Sequence, residues 1–151
     1  MKALLVVYSY HHNNTQKIAE VLAKVLDSEI VTPQQTNPIE LLKYTLVCFG
    51  AGIDSGKHYK PLLDFADQQP QVVDKKAFIF STSGIAELTK NHLALREKLQ
   101  SKGYLILGEF NCRGFNTNSF LKYFGGMNRG RPNTEDIQHA EEFAQNLKQK
   151  A

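Results

Sequence analysis

Little in this chain points to covalent or metal chemistry. Its 151 residues include only two cysteines, Cys48 and Cys112. They make no CxxC pair and no zinc set, which excludes a disulfide framework and a structural zinc site. Cys48 sits inside Leu46-Val47-Cys48-Phe49 and reads as a small buried hydrophobe, and Cys112 reads as buried and inert. No apolar run approaches the ~20 residues that cross a bilayer. The opening run Met1–Val7 is too short for a signal peptide and is followed by no cleavage site. It reads as a first core strand, and a cytoplasmic protein with no membrane partner is expected.

Strong charge is also missing. The formal net charge is +3, too mild for a nucleic-acid signature. One segment departs from this evenness. From Cys112 to Pro132 there are four basic residues, Arg113, Lys122, Arg129 and Arg131, and no acidic one.

What is present is an alternation of strands and helices. Ala3–Tyr8, Thr45–Phe49, Ala77–Phe80 and Tyr104–Leu107 are nearly continuous apolar runs, as strands covered on both faces require. Glu29-Ile30-Val31 reads as a short edge strand before Pro33. Ile18, Leu22, Val25 and Leu26 recur at helical spacing. Pro61 opens a short helix carrying Leu62, Leu63 and Ala66. Leu88, His92, Leu95 and Leu99 mark another helix, ended by Gly103. Asn133 and Asp136 cap the last helix, with Ile137, Ala140, Phe143, Ala144 and Leu147 on its stripe. A short helical turn falls near Ile39–Lys43.

This order predicts an α/β domain over 1–151: a doubly wound five-stranded parallel sheet, order 2-1-3-4-5, with helices on both faces. Ligands of such sheets bind outside the carboxyl ends of the strands, where the winding reverses between the first and third.

Four segments meet at that edge. The first, Ser9-Tyr10-His11-His12-Asn13-Asn14-Thr15, ends at a helix N-terminus, where free N–H groups and the helix dipole favour an anion. Ser9 and Thr15 add hydroxyl donors, and Asn13 and Asn14 add amides. A phosphate cup and a plain helix start fit these residues about equally. The P-loop pattern GxxxxGK[ST] is absent, which argues against a nucleoside triphosphate with magnesium. His11 and His12 are adjacent, point apart and have no third ligand nearby, so no metal is expected.

The second segment, Gly50–Tyr59, has GxGxxxG spacing and follows the third strand, so it is not a dinucleotide fingerprint. Gly52 would let the backbone approach a flat ligand, with Ile53, His58 and Tyr59 against its ring. An ordinary turn with Tyr59 in the core fits as well. The third, Ser81-Thr82-Ser83-Gly84, offers small donors to a polar ligand edge. The fourth is Asn111-Cys112-Arg113-Gly114. A response regulator would need an acidic cluster after the first strand and an Asp ending the third. A low-molecular-weight tyrosine phosphatase would need Cys-x5-Arg in the first loop. Neither pattern is here, and no nucleophile–base–acid set stands out.

These segments resemble the flavodoxin family. The first loop ends Asn13-Asn14-Thr15-Gln16-Lys17-Ile18-Ala19, where the family has a Thr/Ser-rich turn ending Gly-Asn-Thr. The glycine-rich third-strand loop and Ser81-Thr82-Ser83-Gly84 extend the likeness. Flavodoxin with FMN is the standing example of the 2-1-3-4-5 order, so that order is matched to a known case. The run from Cys112 through Gly125-Gly126 to Asn133 resembles a small, poorly characterised branch.

The resemblance implies one noncovalent FMN. Ser9, His11, Asn13, Asn14 and Thr15 would hold its phosphate. Gly52, Ile53, His58 and Tyr59 would lie on one side of the ring, and Ser81, Thr82, Ser83 and Gly84 on the other, with Cys112 and Arg113 at the last edge. No side chain need be catalytic, because the cofactor carries the chemistry. The expected function is electron transfer with a partner protein. The alternative is an FMN-dependent NAD(P)H oxidoreductase acting on quinones or similar acceptors, with Arg113, Arg129 and Arg131 for the nicotinamide. The basic segment would then be a lid, a homodimer interface or a solvated surface. Asn13 stands where the family has Gly, no aromatic follows Ser81–Gly84, and the chain is not acidic.

Overall fold

The computed structural model describes residues 2–9, 14–83, 88–113 and 132–151. Its elements are β1 (Ala3–Tyr8), α1 (Asn14–Leu26), β2 (Glu29–Val31), a 3-10 turn (Pro38–Lys43), β3 (Leu46–Asp54), β4 (Lys57–His58), α2 (Lys60–Asp67), β5 (Lys75–Ser83), α3 (Leu88–Asn91), α4 (Leu93–Ser101), β6 (Tyr104–Arg113) and α5 (Thr134–Lys150). The parallel order is β2-β1-β3-β5-β6. This is the expected doubly wound sheet, plus one short strand. β4 pairs antiparallel with the end of β3. No helix among the described residues is long and apolar enough to cross a membrane.

The strand pleat divides the core in two. Leu5, Val7, Cys48, Phe78 and Phe80 pack with Ile18 and Leu22 of α1 and Ala140 and Ala144 of α5. Leu4, Val6, Val47, Phe49 and Ile79 pack with Leu62 and Ala66 of α2 and Leu95 and Leu99 of α4. Asn133 caps α5 in a reciprocal box, its side chain accepting from Asp136 N–H while Asp136 accepts from Asn133 N–H.

Three strands run further than their apolar stretches suggest. β3 continues to Asp54, β5 to Ser83 and β6 to Arg113. The apolar run stops, but the backbone ladder does not. The segment read as a glycine-rich loop is therefore the end of β3 followed by a hairpin. Ser55 and Gly56, with φ of 55° and 82°, make its two-residue turn.

β6 carries a bulge. Ile106 pairs with Ala77, but Gly108 pairs with Phe78, so Leu107 is extra. One added residue reverses every later side chain. Ile106 faces the α2–α4 core, as do Glu109 and Asn111 beyond the bulge, while Phe110 and Cys112 turn to the α1–α5 core. The helix expected over Leu88–Leu99 is two pieces, α3 and α4, parted at His92.

Candidate functional site

The sheet register brings the segments into ranks. Tyr8 pairs with Ala51, Ala51 with Ser81, and Ser81 with Asn111. One residue on, Gly52 pairs with Thr82, and Thr82 with Cys112. Residues from four separate stretches thus share one edge at the carboxyl ends of the strands.

The first turn of α1 is tied to that edge. Thr15 Oγ1 and Thr82 Oγ1 lie 2.7 Å apart, both buried. Asn14, also buried, opens the helix. Ser9 Oγ is buried and has no hydrogen-bond partner among the described residues. A buried hydroxyl without a partner is costly unless a ligand or water meets it. It follows the last residue of β1, on the edge where Thr15 of α1 meets Thr82, and a hydroxyl at a helix-bearing edge of this kind suits an anion. His11, Asn13 and Gly84 lie outside the described residues, as do Arg129 and Arg131. Arg113 is described only as the backbone end of β6.

The hairpin after β3 folds back along the end of its own strand. Tyr59 covers Gly52, and a Cβ on Gly52 would meet the ring at 2.8 Å. Tyr59 also meets Tyr8 edge-on, with centroids 5.8 Å apart. Ile53 is half-buried and pairs with His58. His58 is turned inward and is 1% exposed. Its Nε2–H donates to the Phe80 carbonyl at 3.0 Å, and Nδ1 has no partner among the described residues. Burial, then neighbouring His92, push its pKa down to about 3, against the Phe80 hydrogen bond.

Beside His58 runs a buried polar relay. The two imidazole centroids are 4.9 Å apart. His92 Nε2 lies 2.6 Å from Ser81 Oγ, and His92 Nδ1 lies 2.9 Å from Glu109 Oε1. Arg96 grips the same carboxylate at both oxygens, Nε at 2.6 Å and one terminal nitrogen at 2.7 Å. Asn111 Nδ2 donates to Ser81 Oγ at 2.6 Å and to Ser83 Oγ at 3.3 Å.

Burial lowers the pKa of His92 despite Glu109, while Arg96 works in the same direction as burial. Burial raises that of Glu109, but hydrogen bonds from Arg96 and His92 outweigh it and leave it lowered. A neutral imidazole beside a carboxylate is the consistent pair, so their contact is a hydrogen bond rather than an ion pair. The order Ser–His–Glu is that of a hydrolase relay. Here Ser81 is 0% exposed and already takes the Asn111 amide, so it meets no substrate.

A flavodoxin domain model matches residues 5–114, most of the chain. The chain belongs to the flavodoxin family. It is 45% identical over 148 residues to an uncharacterised protein of Methanocaldococcus jannaschii, covering 97% of this chain and 98% of that one. Among solved structures it is similar to oxidised flavodoxin 2 from Bacillus cereus, with TM-score 0.77, 18% identity and 100% of each chain covered. A flavodoxin from the domain Archaea gives TM-score 0.72 and 16% identity, over 99% of this chain and 98% of that one. These two likenesses speak to the flavodoxin fold alone.

Sequence reading assembled Ser9, Asn14, Thr15, Gly52, Ser81, Thr82 and Cys112 at the edge, and the structure brings them together. It missed the relay. His92 reads as one more helix-stripe residue, and no motif singles out Glu109 or Arg96. The signal that would have found them is the bulge at Leu107, which no local pattern of Tyr104–Leu107 announces.

Proposed function

We propose that this flavodoxin-family protein binds one FMN and carries electrons between partner proteins. The observation that carries the reading is the first turn of α1, docked on the end of β5 through Thr15 and Thr82, on the sheet edge where the buried Ser9 hydroxyl has no partner among the described residues. Ser9, Asn14 and Thr15, joined by His11 and Asn13, hold the phosphate through hydroxyl, amide and backbone N–H donors. Ser83, Gly84 and Arg113, backed by the buried Ser81, Thr82 and Cys112, form the other border of the cofactor site. Gly52, Ile53 and Tyr59 support the ring from the β3 side, with His58 packed beneath them. FMN, when bound, supplies the electron chemistry. The chain supplies binding, orientation and local polarity.

The carrier and the NAD(P)H oxidoreductase part on one experiment. Holoprotein is mixed anaerobically with NADPH alone, and separately reduced with dithionite and mixed with oxidised cytochrome c. A carrier keeps its oxidised flavin spectrum with NADPH and passes electrons to the cytochrome. Bleaching by NADPH alone would make the protein a reductase.

A further inference from the structure

The relay at His92 has one self-consistent hydrogen-bond order. Glu109 is an ionised carboxylate held at both oxygens by Arg96, so it only accepts. His92 Nδ1 must therefore carry hydrogen, and in the neutral ring Nε2 is left as the acceptor. Ser81 then donates its hydroxyl hydrogen to Nε2. The lone pairs of Ser81 Oγ are met by Asn111 Nδ2. That fixes which end of the Asn111 amide is which. Its Oδ1 is buried and unpartnered among the described residues.

Resting on the FMN reading above, we infer that His92 is a positioning residue: through Ser81 it orients the Asn111 amide so that Oδ1 is offered as an acceptor for an N–H of the flavin. Oxidised flavin has one ring N–H, and a buried acceptor with no other partner has a strong reason to take it.

The same relay makes that polarity depend on one proton. A protonated His92 donates from both nitrogens. Ser81 Oγ then accepts from Nε2–H, and its own hydrogen must find another acceptor. The Asn111 amide meets that need by turning over, which withdraws Oδ1 and presents Nδ2 instead. Among the described residues the groups facing His92 are few. Ser81 comes from β5, Glu109 and Asn111 from β6, His58 from β4 and Arg96 from its own helix α4. The nearby helices bring Asp67, paired to Lys98, and the exposed Lys90, all at the surface. Glu109 with Arg96 is the pair that decides the tautomer.

The test has two arms on the full chain. Nitrogen-15 NMR of the imidazoles, without flavin and with FMN, reads the tautomer directly. The expected result at pH 7 is a neutral Nδ1–H ring at His92. An Nε2–H tautomer or an imidazolium there overturns the inference. The second arm follows FMN dissociation by fluorescence from pH 8 to pH 5 in wild type and Ser81→Ala. FMN affinity at pH 8 should fall by about tenfold in the variant, the weight of one buried hydrogen bond. Wild-type affinity should also drop on acidification more steeply than the variant's, which shares the phosphate's own titration. Parallel profiles of equal affinity overturn the inference while leaving FMN binding intact. A chain that binds no FMN at any pH overturns the functional reading, and the NMR arm then judges the relay alone. A Ser81→Ala chain that fails to fold leaves the wild-type NMR result to decide.

Discussion

Thr15 Oγ1 and Thr82 Oγ1, 67 residues apart in sequence, lie 2.7 Å apart beneath the edge of the sheet. This bond ties the first turn of α1 to the last residues of β5, the two segments proposed to border FMN. Thr82→Val keeps the shape and leaves the Thr15 hydroxyl buried without its partner. It should cost about 1–3 kcal/mol of stability, read from urea unfolding of the cofactor-free chain. FMN affinity should weaken too, and the double variant Thr15→Val/Thr82→Val should recover part of the stability but not the affinity.

Acid should weaken the fold through two buried histidines. His58 has its pKa lowered from 6.5 to about 3, and that of His92 is lowered as well. The unfolded chain therefore binds more protons than the folded one below pH 6.5, so stability rises with pH in that window and is lost on acidification. Each histidine contributes a slope of roughly 1.4 kcal/mol per pH unit at most. Glu109, lowered from 4.5, adds its own loss only below that value. Unfolding midpoints at pH 7 and pH 5 should differ clearly, and His58→Gln should shrink the difference.

Two glycines with positive φ should answer differently to alanine. Gly103 has φ of +99°, and a Cβ there would lie 1.7 Å from the Val72 carbonyl oxygen. Gly56 has φ of +82° with nothing within 4 Å. Gly56→Ala should cost only the conformational term, about 1 kcal/mol. Gly103→Ala must move backbone and should cost more than ~2 kcal/mol by thermal or urea unfolding.

The cap of α5 is a separate element of stability. Asn133→Ala removes the acceptor for Asp136 N–H and should cost about 1 kcal/mol without changing the flavin site. Circular dichroism melts should show it, with FMN affinity unchanged.

The flavin should be less reducing than in an acidic flavodoxin. Reduced flavin is an anion near neutral pH, and positive surroundings favour it. The segment 112–132 brings Arg113, Lys122, Arg129 and Arg131 with no acidic residue. Replacing these four by Gln should lower the midpoint potential, measured by spectroelectrochemistry, and raising salt should shrink the difference.

The strand order and the edge were legible because both rest on local patterns. Leu4-Leu5-Val6-Val7 must be covered on both faces, and polar residues at its end must sit where the cover stops. The ends of β3, β5 and β6 were not legible, because ladder bonds persist after hydrophobicity ends. His92 was hidden for a different reason. It falls at helical spacing with Leu88 and Leu95, yet its ring is drawn to Ser81 and Glu109, and the helix parts there. Glu109 reaches it only because Leu107 is bulged out of register.

FMN binding itself is decided by an absorbance spectrum. Purified chain is mixed with excess FMN, passed through gel filtration to remove free flavin, and scanned in the visible range. Flavin should be retained at about one per chain, in keeping with a single site at the switch point. A colourless protein, with no change in flavin fluorescence on titration, would contradict it and leave Ser9, Asn14 and Thr15 as the start of a helix and nothing more.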